Sequence, residues 1–150
     1  MAKSKKKLLT VEENGLNFKT LRHANIHRLP TFKNSQGGRA HQKDDGSDWI
    51  PAQWLQATVG ELGEFANIRK KFERGDITFE QYKKEAAKEL ADIQIYLDLL
   101  AMRCLDHGDY VDPEGIDLAK ATLDKFNEVS DRVGSPIYIR GDGLGLDMMR

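Results

Sequence analysis

Apolar residues recur at three- and four-residue spacing over four stretches, with Gly and Pro between them, and this predicts four helices. The first runs from about Asn17 to Leu29, with Phe18, Leu21 and Ala24 on one face, and stops at Pro30. A second opens at Pro51, whose fixed φ suits a first turn, and continues to about Arg74 before Gly75. Thr78 with Gln81 makes a capping box for the third, which extends to about Leu105. The fourth spans about Asp117 to Val133 and ends at Gly134. Predicted core stripes are Leu90, Ile93, Leu97, Leu100 and Cys104 on the third helix, and Ala119, Leu123, Phe126, Ser130 and Val133 on the fourth. Ile137-Tyr138-Ile139 reads as a short extended piece, followed by a loose end rich in glycine. The expected fold class is all-α.

Between the first two helices lies a long polar loop, residues 31–48, of a length that in compact domains is commonly functional. Trp49 and Trp54 flank Pro51; they either wedge the loop against the helices or stack on a ligand's ring. With 39% hydrophobic residues the chain is too apolar for disorder. Lys and Arg number 23 against 24 Asp and Glu, so the net charge is −1 and no global field grips nucleic acid or anionic lipid. Stable nucleic-acid binding is therefore not expected. Cys104 is the single cysteine, which fits a reducing, cytoplasmic compartment. Asp98 breaks the best apolar run, so no membrane span is expected. The lysine-rich start, residues 1–16, reads as a flexible basic segment, or as an arm touching phosphate or a partner.

Acidic residues stand where core should be. Glu61 and Glu64 are three apart and project from one side of the second helix; Glu89 and Asp92 repeat the spacing on the third. If the two helices pack antiparallel through the short turn at 75–78, four carboxylates converge. Like charges that close need protons or cations among them, and hard divalent ions take oxygen ligands. The competing reading pairs these acids with surface lysines. A di-iron site lacks its histidines, and His23 with His27 lacks a third zinc ligand.

The runs Gly60-Glu61-Leu62-Gly63-Glu64-Phe65-Ala66-Asn67, Lys70-Lys71, Glu89-Leu90-Ala91-Asp92 and Tyr96-Leu97-Asp98-Leu99-Leu100-Ala101 resemble the MazG-like nucleoside triphosphate pyrophosphohydrolases. That family's signature is E-E-x-x-E, a gap, then E-x-x-D; here Gly60 replaces the leading glutamate, which puts a second tightly held metal in doubt. The resemblance covers about residues 17–136, including the stretches 48–54 and 125–132, and leaves 137–150 as a C-terminal tail. Within the family the chain looks most like the phage-encoded members of the MazZ type, which act on dGTP.

The resemblance implies an antiparallel four-helix-bundle-like catalytic domain over 17–136. It implies hydrolysis between the α- and β-phosphates, giving a monophosphate and pyrophosphate. Mg²⁺, with Mn²⁺ able to substitute, would be held by Glu61, Glu64, Glu89 and Asp92, with Glu61 or Glu64 taking the proton of the attacking water. Lys70, Lys71, Lys125 and Arg132 are candidates to neutralise the leaving group, with Asn67 and Asn127 as uncharged donors. Arg28, Lys33 and the polar loop could close over the ligand, with Trp49 and Trp54 beside the base and Asp44, Asp45 or Asp48 accepting from guanine. The expected substrate is dGTP or GTP, and the alternatives are a broader house-cleaning enzyme and a non-catalytic nucleotide-binding or adaptor bundle. Apolar faces at Leu97, Leu100, Leu123 and Phe126 predict a homo-oligomer, and the resemblance implies a tetramer built as a dimer of dimers.

Overall fold

The computed structural model describes residues 15–41, 48–139 and 146–148, the last three as backbone. The chain resolves into two compact units, Met1–Trp49 and Ile50–Arg150. Among the described residues it is mostly helical, with one pair of short strands.

In the first unit, α1 spans Phe18–Arg28 and a 3₁₀ turn, Leu29–Thr31, follows where Pro30 ends the α-helix. Asn17 caps α1: its Oδ1 accepts from the Thr20 N–H at 2.9 Å, and the Thr20 hydroxyl accepts from the Asn17 N–H at 3.0 Å. Beyond it Lys33 and Arg39 face each other across an antiparallel bridge. The Asn34 side chain closes the turn between them by accepting from the N–H groups of Gln36 and Gly38, while Gly37 takes φ +80°. The predicted loop thus begins as a small hairpin; residues 42–47, with Asp44 and Asp45, lie outside the described residues.

In the second unit, α2 (Pro51–Glu73) and α3 (Phe79–Arg103) form an antiparallel hairpin packed along its length. Gly75 turns the chain at φ +79°, and the Thr78–Gln81 capping box starts α3 as the sequence suggests. On α2 the buried and half-buried stripe is Trp54, Ala57, Thr58, Glu61, Phe65, Ile68 and Phe72. Its counterpart on α3 is Tyr82, Ala86, Glu89, Ile93, Tyr96 and Leu100, at alternating four- and three-residue steps. Leu90 and Leu97, expected in the core, are instead 53% and 38% exposed. A helix turns about 100° per residue, so a stripe shifted by one position from Leu90 to Glu89 faces a different way. α3 is apolar on more than one side. The aromatic rings of α2 select the side that carries Tyr82 and Tyr96.

After α3 the chain is stitched back onto the helix end. The Asp112 carboxylate accepts from the N–H groups of Glu114 and Gly115, and the Ile116 N–H donates to the Ala101 carbonyl at 2.8 Å. Gly115 sits at φ +67°, and a Cβ there would lie 2.6 Å from the Met102 Cα, so only glycine fits.

Asp117 caps α4 (Leu118–Val133), and Gly134 ends it in the left-handed region. The extensive contact of α4 is with β1 (Ile137–Ile139), which pairs antiparallel with β2 (Leu146–Met148). Residues 146–148, expected in a loose end, therefore form a strand. Ser130 Oγ donates to the Ile137 carbonyl at 2.6 Å, and the Asn127 amide both donates to and accepts from the Ile139 backbone. Of the expected α4 stripe, Ser130 is buried and Leu123 half-buried, while Ala119, Phe126 and Val133 are exposed. The buried face of α4 is the one that holds β1.

Candidate metal centre

Glu61 lies in the middle of the α2 inward stripe, seven residues after the buried Trp54 and eleven before the half-buried Phe72. Helical spacing puts all three on one face. Glu89 occupies the matching place on α3, seven residues before Tyr96. The same periodicity that builds the hairpin therefore delivers two carboxylates to the seam between its helices, and Asp92 stands one turn beyond Glu89. One carboxylate oxygen from each of Glu61, Glu89 and Asp92 lies within 4.8 Å of the others. Three acids from two helices share one small volume.

The electrostatics follow from that crowding. Burial pushes the Glu61 carboxyl above the usual range, and the charges of Asp92, Glu64 and Glu89 push it further the same way. Among the described residues, no cation contributes to that shift. The donor set is oxygen only, which suits a hard divalent cation and excludes a thiolate or imidazole site. A cation here would reverse the penalty on Glu61 by replacing repulsion with attraction. The residues present therefore fit a hard divalent cation.

Glu64 is not part of the three-carboxylate group. It is exposed, and on the α2 wheel it sits about 60° to one side of Glu61, close enough to act on Glu61 through its charge. Lys71, at about 80° on the same side, shares the flank of Glu64, whereas Lys70 falls on the face opposite Glu61. Lys70 is therefore not placed to meet a ligand at the three acids. Asn67 is exposed on the Glu64 side of α2.

The α4 candidates are engaged elsewhere or simply exposed. Lys125 Nζ pairs with Glu128 at 2.6 Å, with both side chains more than half exposed. Asn127, expected as a ligand donor, clamps β1 instead. Arg132 lies exposed in the last turn of α4.

Of the two tryptophans, Trp54 is fully buried, with its ring 6.5 Å from that of Tyr96, so it is core and not a stacking surface. Trp49 belongs to the first unit and is half-buried, meeting His41 edge to face at 4.7 Å. Burial also lowers the His41 pKa, against the opposing pull of Asp48.

Sequence reasoning missed the frame around the acids. Thr58 is buried one turn before Glu61, its hydroxyl donating to the Trp54 carbonyl at 3.0 Å. Trp54 with Tyr96 on one side, and Phe72 with Tyr82 on the other, bracket the carboxylates along the seam. The spacing of those rings from Glu61 and Glu89 was the available signal. Comparison with family models, curated proteins and solved structures returns no match for this chain.

Proposed function

We propose that the chain is a metal-dependent nucleoside triphosphate pyrophosphohydrolase of the MazG-like type, cleaving dGTP or GTP to the monophosphate and pyrophosphate. The convergence of Glu61, Glu89 and Asp92 in the α2–α3 seam carries this reading. When bound there, Mg²⁺ would neutralise the triphosphate and acidify a water. Glu61, Glu89 and Asp92 hold and orient that site. Glu64, on the flank and outside the group, is the carboxylate free to take the water's proton. Lys71 stands on the same flank, where a leaving pyrophosphate needs positive charge.

Assembly belongs to the same reading. Leu55, Val59 and Leu62 are 53%, 56% and 50% exposed on α2, to one side of its inward stripe. With Leu90 and Leu97 they leave one side of the hairpin apolar, beside a cavity of about 430 Å³ lined by Pro51, Leu100, Cys104, Ile116 and Leu118 among others. An apolar surface of that kind supports a homo-oligomer, with a tetramer as the expected form. No helix among the described residues is long and apolar enough to cross a membrane, and a cytoplasmic setting remains part of the proposal.

One observation favours the non-catalytic alternative: Lys70 lies opposite Glu61 on α2, and the Asn127 amide is bonded to the Ile139 backbone. Pyrophosphate release from a panel of nucleoside triphosphates, with Mg²⁺ or EDTA, separates the two. The proposal expects Mg²⁺-dependent release, greatest with dGTP, that is abolished by Glu61→Gln, Glu89→Gln or Asp92→Asn. Glu64→Gln should lose turnover while keeping metal affinity. Full activity in EDTA would overturn the metal assignment, and a tenfold preference for a pyrimidine would overturn the guanine one.

A further inference from the structure

The net charge of −1 is the sum of two opposite parts. Residues 1–41 hold nine Lys and Arg against two acids, Glu12 and Glu13, while residues 42–150 hold fourteen against twenty-two. The first part is therefore +7 and the second −8, and residues 15–41 contain no acid at all. A charge asymmetry of that size between two stretches of one chain is the footprint of a polyanion partner.

The described part of the first unit shows how those charges are displayed. Lys19 is exposed on α1 and shares its face with the exposed His23 and His27 at four-residue steps, which add hydrogen-bonding imidazoles and no counted charge. Lys33 and Arg39 are opposite each other on the antiparallel bridge, both exposed, and neither is in an ion pair among the described residues. Like charges directly across a strand pair repel, so this placement costs stability unless an anion lies between them. The turn that holds them is fixed by Asn34 and Gly37.

Beside them Phe32 is 39% exposed, with the Arg28 guanidinium 5.3 Å from its ring centre. A cationic track with an accessible ring next to it is the pattern that binds single strands, the cations following phosphates and the ring taking a base. A lipid surface fits less well. α1 does not divide into an apolar and a basic face, as an interfacial helix must.

We infer that residues 15–41 form a binding surface for single-stranded nucleic acid, with Lys19, Lys33 and Arg39 on the phosphates and Phe32 against a base. This does not depend on the acid cluster or on hydrolysis. It also reverses the expectation drawn from net charge, because a sum over the whole chain hides a local field.

Fluorescence anisotropy of a labelled oligothymidylate of about 20 nucleotides with the full chain tests this. Three phosphate contacts on a single strand predict a loss of roughly twentyfold in affinity between about 50 and 200 mM salt. The double variant K33E/R39E and the single variant K19E should each weaken binding at least tenfold, with circular dichroism unchanged, and F32A should weaken it with the salt slope kept. No binding, binding without salt dependence, or unaltered binding by the charge reversals would overturn the inference. So would displacement of the strand by equimolar nucleoside triphosphate, which would assign the cations to a small ligand, or equal binding to phosphatidylserine vesicles.

Discussion

The seam between α2 and α3 changes character within two to three helical turns. Towards the turn of the hairpin Phe72 and Tyr82 stack at 4.7 Å and 15°, with Phe79 6.0 Å from Phe72 and the Arg69 guanidinium over both stacked rings. Two to three turns away, at the same inward positions of the same helices, Glu61 meets Glu89 and Asp92. Further on, Trp54 and Tyr96 restore an aromatic contact. The backbone geometry is common to all three places, so the difference lies in side chains alone. Aromatic pairs hold the helices together, and the acids between them oppose that packing through burial and mutual repulsion. A destabilised centre bracketed by stabilising contacts is the arrangement expected where binding, rather than packing, has set the residues.

Removing the bracket has the largest effect. Trp54→Ala empties a fully buried site and should cost about 3–5 kcal/mol, read from urea denaturation. Gly115→Ala comes next at about 1–3 kcal/mol, because the new Cβ meets the α3 backbone and the residue is held at positive φ. Phe72→Leu keeps apolar volume but removes the stacked pair with Tyr82, for a loss of about 0.5–1.5 kcal/mol.

Altering the centre should do the reverse. In metal-free protein Glu61→Gln should raise Tm slightly at neutral pH, since it removes a charge that burial and three neighbouring acids disfavour. The sign follows from its raised pKa. The folded state holds that proton more tightly than the unfolded one, so wild-type stability from this group falls as pH rises from the ordinary carboxylate range through the raised value. The variant should lack that slope, and saturating Mg²⁺ should restore stability in the wild type only.

Much of this was legible in the sequence because it depends on local chemistry. Asn17, Thr78 with Gln81, Asp117, Gly75 and Gly134 mark helix ends through caps and turns that need only neighbouring residues. The convergence of Glu61 with Glu89 and Asp92 was readable too, since it follows from three-residue spacing and one short turn. What escaped depends on which of several apolar faces a helix presents. α3 offers leucines on one side and tyrosines on another, and the partner helix decides between them. The role of Asn127 was hidden for a related reason: its partner, Ile139, lies beyond a left-handed glycine, where no periodicity carries across. β2 follows a run of glycines with no apolar alternation to announce it.

The central claim is that three carboxylates from the α2–α3 seam hold one divalent cation. Titration of the full chain with Mn²⁺, followed by electron paramagnetic resonance, tests it without reference to turnover. The account predicts a bound Mn²⁺ that Mg²⁺ displaces, with affinity at least tenfold weaker in Glu89→Gln and close to wild type in Glu64→Gln. Equal Mn²⁺ affinity in wild type and Glu89→Gln would contradict it.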